Sequence, residues 1–180
     1  KIHEGYLEAG SDIIETNTFA GSSITLAEFG LGDISYEINH AAAKLAKKCA
    51  LKFSTNEKPR FVAGAIGPTN KTISVTGNIT FEELENSYYT QAKALMDGGV
   101  DVFLVETIFD TLNAKAAFSA IQNLFEDAGK KIPIMVSATI EQSGTMLAGQ
   151  DIESFYTSIG HIKPLAVGIN CAVGPDLIRG

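Results

Sequence analysis

A cysteine and two acids sit where apolar runs give way to polar residues, and these are the positions whose chemistry is worth asking about first. Cys171 closes Gly168-Ile169-Asn170-Cys171 and is followed by Ala172-Val173-Gly174. A thiol where a buried strand meets a glycine-rich turn is a candidate metal thiolate, and one cysteine fills one of the four positions around a tetrahedral zinc. Glu106 follows Val102-Phe103-Leu104-Val105, so its carboxylate leaves an apolar run and needs a cation or a donor. A substrate ammonium would serve, and so would a Lys or Arg from a neighbouring element. Glu15, after Ile13-Ile14, has the same two readings.

The remaining polar groups at the ends of apolar runs are Glu15-Thr16-Asn17-Thr18-Phe19, Gly64-Ala65-Ile66-Gly67-Pro68-Thr69-Asn70, Glu106-Thr107, Ser137-Ala138-Thr139 and Asn170-Cys171. Hydrogen-bonding groups gathered at one end of every run suit a small polar ligand, such as an amino acid, held in an otherwise apolar mouth. Other chemistries find little support. His3, His40 and His161 show no metal spacing and lie in or beside predicted helices. Neither a Gly-x-Ser-x-Gly elbow nor a phosphate-binding P-loop occurs. With Cys49 and Cys171 as the only cysteines, a reducing compartment is expected rather than a disulfide framework. Cys49 falls with Ile38, Ala42 and Leu45 at helical spacing, which predicts a buried face for its sulfur.

The elements that must position these groups are legible as apolar runs at 12–19, 61–66, 101–108, 133–140 and 164–171. Runs without alternation predict strands buried on both faces. Between them lie helical stripes. Thr80-Phe81-Glu82-Glu83 is a capping box that opens the stripe Phe81, Leu84, Tyr88, Ala92, Leu95, and Gly98-Gly99 ends it. Leu112, Ala116, Ala120 and Leu124 form a second stripe before Gly129, and Ile152, Phe155, Tyr156 and Ile159 a third before Gly160.

Strand and helix in alternation predict right-handed crossovers and a parallel sheet, either doubly wound or closed into a (β/α)8 barrel. An internal echo favours the barrel. Gly10-Ser11-Asp12 leads through a strand to Glu15-Thr16, and Gly99-Val100-Asp101 leads through a strand to Glu106-Thr107. No Gly-x-Gly-x-x-Gly loop of a doubly wound nucleotide fold follows any strand. The expected fold class is therefore α/β, a partial TIM barrel with about five of eight βα units, in one domain over residues 1–180. The chain reads as opening inside a helix and ending just past the fifth strand, a barrel truncated at both ends. Two open parallel edges would leave it insoluble or molten by itself.

The 180 residues are 45% hydrophobic, enough for one packed core, and carry a net charge of −7. That charge argues against nucleic acid or an anionic membrane as partner. No apolar stretch approaches the roughly 20 residues needed to cross a bilayer, and the first residues are unlike a signal peptide, so a cytoplasmic protein is expected.

Taken in order, Glu15-Thr16-Asn17-Thr18-Phe19, Gly67-Pro68-Thr69-Asn70, Glu106-Thr107-Ile108-Phe109-Asp110-Thr111-Leu112-Asn113-Ala114 and Gly168-Ile169-Asn170-Cys171 resemble the homocysteine-binding module of cobalamin-dependent methionine synthase, within the homocysteine S-methyltransferase superfamily. The resemblance runs through nearly the whole chain. It implies a (β/α)8 barrel in which three cysteine thiolates hold zinc and the homocysteine sulfur is the fourth ligand. On that matching Cys171 is the first of the three, and the adjacent pair that completes the site lies beyond this chain. Glu106 matches the acid that holds the substrate amino group, with Asn17, Thr18 and Ser137 along the pocket wall. The methyl donor implied is methylcobalamin on another domain, recharged from methyltetrahydrofolate on a third. Two other readings stay open: a relative using betaine or S-methylmethionine directly, and a barrel remnant without catalytic activity.

Overall fold

The computed structural model describes residues 1–178, in which five strands form one parallel sheet in chain order: β1 Ile13–Glu15, β2 Phe61–Ile66, β3 Val102–Ile108, β4 Ile134–Ala138 and β5 Ala166–Ile169. Every neighbouring pair is parallel, with Glu15 opposite Ala63, Leu104 opposite Ala65 and Met135, and Ser137 opposite Gly168. A doubly wound sheet reverses its strand order at a switch point. No reversal occurs here, and the architecture is that of a partial (β/α)8 barrel.

The helices are α1 Ile2–Glu8, α2 Ser23–Ala27, α3 Ser35–Phe53, α4 Phe81–Asp97, α5 Thr111–Ala128, α6 Ile152–Ile159 and α7 Pro175–Ile178. Of these, α3 packs on α4 and α4 on α5, and all three lie against the sheet. The core fills the space between: Val62, Phe103, Val105 and Val136 from the strands meet Ala46, Leu84, Leu95, Phe118 and Ile121 from the helices. The other face is open on its β1 side, where Ile13 and Phe61 are more than two-fifths exposed, whereas Ala63, Ala65 and Val102 on that face are buried.

Local sequence accounts for the helix ends. Thr80 Oγ1 accepts from the Glu83 N–H while the Glu83 carboxylate accepts from the Thr80 N–H, the reciprocal box expected for α4. At α5, Asp110 accepts from the Leu112 N–H, and Gly129 closes the helix in the left-handed conformation (φ 61°) that a side chain resists. The repeated Gly-x-Asp also has a physical role. Asp101 accepts from the Val62 N–H and pairs with Lys47, and Asp12 pairs with Arg60, so each acid ties the start of its strand to a neighbour.

The structure departs from the expected elements in three places. The predicted strand 12–19 is regular only over Ile13–Glu15. Beyond it threonine hydroxyls replace main-chain pairing: the Ala65 N–H donates to Thr16 Oγ1, and Thr18 Oγ1 donates to the Ala65 carbonyl. The buried face of α3 is Ser35, Asn39, Ala43, Ala46 and Ala50, not the stripe through Leu45, which is 57% exposed, and Cys49, which is half-buried. Small residues let α3 approach the sheet closely, and the larger apolar ones turn toward a groove at β1 shared with Ile2, Tyr6 and Ile13. In α6, Phe155 and Ile159 are buried as expected, whereas Tyr156 is 59% exposed.

Candidate functional site at the strand ends

At the C-terminal end of β3 the ladder with β4 slips between Val105 and Ile108. The slip is made by Thr107, whose φ of 58° puts a β-branched residue in the left-handed region. Such a conformation costs about 1–3 kcal/mol and persists where the surroundings over-determine it. Glu106, directly before it, is half-buried and lines a small crevice with Gly67, Pro68, Phe109, Asp110 and Asn113. Burial pushes its carboxyl up to about 7, and the nearby charge of Glu15 adds to the rise. Among the described residues neither Glu106 nor Glu15 forms an ion pair with Lys or Arg. The internal-partner reading of Glu106 therefore finds no cation among the described residues.

The end of β5 lies within reach of this bulge. Cys171 is exposed and also left-handed, at φ 59°. Its sulfur receives Asn170 Nδ2 at 3.3 Å and Thr107 Oγ1 at 3.9 Å. Asn170 Nδ2 also donates to Thr107 Oγ1 at 2.8 Å, and Ser137 Oγ at the end of β4 donates to Asn170 Oδ1 at 2.8 Å. Three adjacent strands are thus joined by one hydrogen-bonded chain ending at a thiol. Ser137 has its hydroxyl engaged with Asn170 in this arrangement. Sequence reasoning named Cys171 and Ser137 but gave Thr107 and Asn170 no role of their own. Their adjacency to Glu106 and Cys171 was the available signal.

The β1 end contributes differently. Asn17 and Glu15 are exposed, whereas Thr18 is 2% exposed and its hydroxyl is engaged by Thr16 and the Ala65 carbonyl. The structure places Thr18 in the scaffold, with no free polar group turned to the mouth. Alternation past Glu15 turns Thr16 and Thr18 into the packed interior and leaves Asn17 exposed. The Gly-Pro-Thr-Asn block begins with Gly67, whose N–H donates to the Phe19 carbonyl; a Cβ there would lie 2.5 Å from that same oxygen. Only glycine allows this approach. Asp110 accepts from the Ser74 N–H and hydroxyl, and Asn113 donates to Thr69 Oγ1 and the Lys71 carbonyl, so the start of α5 folds segment 69–74 over the strand ends.

As a metal ligand Cys171 fits one position: its sulfur is accessible and receives two donors, the surroundings suited to an anionic thiolate. No group of three or more His, Cys, Asp or Glu among the described residues is placed to complete a site. His3, His40 and His161 join no such cluster. No helix among the described residues is long and apolar enough to cross a membrane.

Five sequential parallel strands with polar groups at their C-terminal ends define the class, a partial (β/α)8 barrel. The family described as "Homocysteine S-methyltransferase" matches residues 1–180, and the chain belongs to that family. Solved structures of the homocysteine methyltransferase MmuM from Escherichia coli share the fold. The metallated form superposes with a TM-score of 0.77 at 20% identity, covering 94% of this chain and 61% of that one. The apo form gives 0.72 at 20% identity, over 97% and 61%. This chain thus spans about three-fifths of the length of those structures.

Proposed function

We propose that this chain is the homocysteine-binding module of a cobalamin-dependent methionine synthase, a methyltransferase that makes methionine from homocysteine. The observation that carries the reading is the meeting of two strand ends: an exposed thiol just past β5 touches Thr107, the residue next to a half-buried carboxylate on β3 that has no cation partner among the described residues. A ligand with sulfur at one end and an ammonium at the other matches both. Glu106 accepts hydrogen bonds from the substrate ammonium, and Glu15 adds a second negative charge on the same side. Asn17 and Ser137 flank the ligand. Thr18 acts indirectly by holding the β1 turn against β2.

Cys171 supplies one thiolate to zinc, with the other ligands provided by residues outside these 180. Zinc, when bound, holds the homocysteine thiol deprotonated and still nucleophilic near neutral pH. Asn170 and Thr107 direct donors at the Cys171 sulfur and so fix the ligand's direction. No residue of this chain is assigned to cobalamin; the methyl group reaches the mouth from a cobalamin-binding domain, itself served by a methyltetrahydrofolate-binding domain. The likeness of the Gly67-Pro68-Thr69-Asn70 and Asp110-Thr111-Leu112-Asn113-Ala114 blocks to methionine synthase supports this donor over betaine or S-methylmethionine.

The test is a donor comparison with the full-length protein that carries this chain. Homocysteine is supplied with methylcobalamin, S-methylmethionine or betaine, and methionine is measured. Methionine from methylcobalamin alone is the expected result. Methionine from S-methylmethionine or betaine would overturn the choice of donor, and none from any donor would favour a non-catalytic barrel.

A further inference from the structure

Two residues other than glycine with left-handed backbones, Thr107 and Cys171, end strands on either side of β4, and their side chains meet. The donors around them run in one direction. Ser137 Oγ gives its proton to Asn170 Oδ1, which turns the Asn170 amide nitrogen toward Thr107 and Cys171. Thr107 Oγ1 accepts from that nitrogen at 2.8 Å, so its own proton points elsewhere, and the acceptor within reach is Cys171 Sγ at 3.9 Å. A glycine would adopt φ 58° without strain, and a valine would fill the same volume. What threonine alone brings among the three is the hydroxyl proton.

We propose that Thr107 is a positioning residue for the Cys171 sulfur. Its hydroxyl, oriented by Asn170 and Ser137, holds the thiolate in one direction so that the metal meets an already aimed ligand. This rests on the reading of Cys171 as a metal thiolate. Partners in the shell outside metal ligands orient them in this way, and losing one typically weakens metal binding by about 10–100-fold. The strained bulge in β3 is then the means by which a β3 side chain reaches across β4 to a β5 ligand.

The experiment measures zinc affinity by chelator competition, alongside the melting temperature, in the full-length protein and its Thr107→Val, Thr107→Ser, Thr107→Gly and Cys171→Ala variants. Thr107→Val and Thr107→Gly should bind zinc at least about tenfold more weakly, with Thr107→Ser staying near the parent. Thr107→Gly should also melt higher, because the backbone strain is relieved; weaker metal binding in a more stable protein is what a purely structural role would not produce. If Thr107→Val does not fold, the Ser and Gly variants decide. Zinc held as tightly in Thr107→Gly as in the parent, while Cys171→Ala loses it, overturns the proposal alone. Zinc retained by Cys171→Ala removes the reading of the thiolate, and the proposal falls with it.

Discussion

Glu106 combines an apolar approach, a half-buried carboxyl and a second acid nearby, and the sign of its titration follows from these. Its value rises from the ordinary 4.5 to about 7 because burial, and then Glu15, disfavour the charged form. Between those two values the folded protein holds a proton that the unfolded chain has released, so stability falls as pH rises through that window and the loss is complete above it. Replacing Glu106 by Gln should remove this loss: urea titrations of the full-length protein below pH 4.5 and above pH 7 should show the variant gaining relative to the parent. Binding an ammonium has the opposite linkage, since it needs the carboxylate. Homocysteine affinity should therefore climb with pH toward 7, by up to about tenfold per pH unit, and calorimetry should register released protons. In Glu106→Gln that climb should be shallower by the one proton the carboxyl contributes, leaving the part due to thiol deprotonation at zinc, and binding should weaken by about 1.5–3 kcal/mol, the loss of one charged hydrogen bond. An unchanged climb in Glu106→Gln would contradict the role. The placement of Glu106 and Cys171 at strand ends was legible in the sequence because each ends an apolar run. The chain from Ser137 through Asn170 and Thr107 was not, because it depends on a left-handed β-branched residue and on strand register, which no local pattern records.

The β-to-α junctions, at the scale of the element, show what the Asp-Thr-Leu-Asn-Ala block does. Asp110 is 2% exposed and accepts three hydrogen bonds, one from its own helix and two from Ser74. Asn113 is 4% exposed and accepts from the Ile73 N–H while donating to segment 69–71. The block is thus a clamp that caps α5 and folds the β2 loop beside Glu106. Asp110→Ala loses the cap and strands buried donors, and should destabilise the fold by about 2–4 kcal/mol in urea titration. A loss below about 0.5 kcal/mol would match an ordinary surface change and contradict the clamp. Helix ends were readable from sequence where Thr80 with Glu83, and Gly129, satisfy or relieve the terminal turn by themselves; the Asp110 cap was not read. The buried face of α3 was not. Ser35, Asn39 and three alanines outrank Leu45 there because close approach to the sheet favours small residues, a tertiary demand that hydrophobic periodicity does not carry.

Across the whole molecule, sequential parallel order was legible from the alternation of elements and from the repeated Gly-x-Asp before β1 and β3. Strand lengths were overread, since the apolar runs continue into segments where side-chain hydroxyls or turns take over from the ladder. Both outer strands, β1 and β5, have one unpaired edge among the described residues, and Ile13, Phe61 and Leu165 lie exposed. Open parallel edges with apolar surface favour aggregation. The 180 residues expressed alone should therefore be insoluble or molten, and a soluble monomer with a sharp cooperative melt would refute this. If, as we propose, the rim of these strands binds homocysteine through a metal thiolate at Cys171, then zinc content and methionine formation should both respond to Cys171→Ala in the full-length protein. Zinc should be lost and methionine formation should stop while the far-ultraviolet circular dichroism is kept; stoichiometric zinc with undiminished methionine formation would rule out the thiolate.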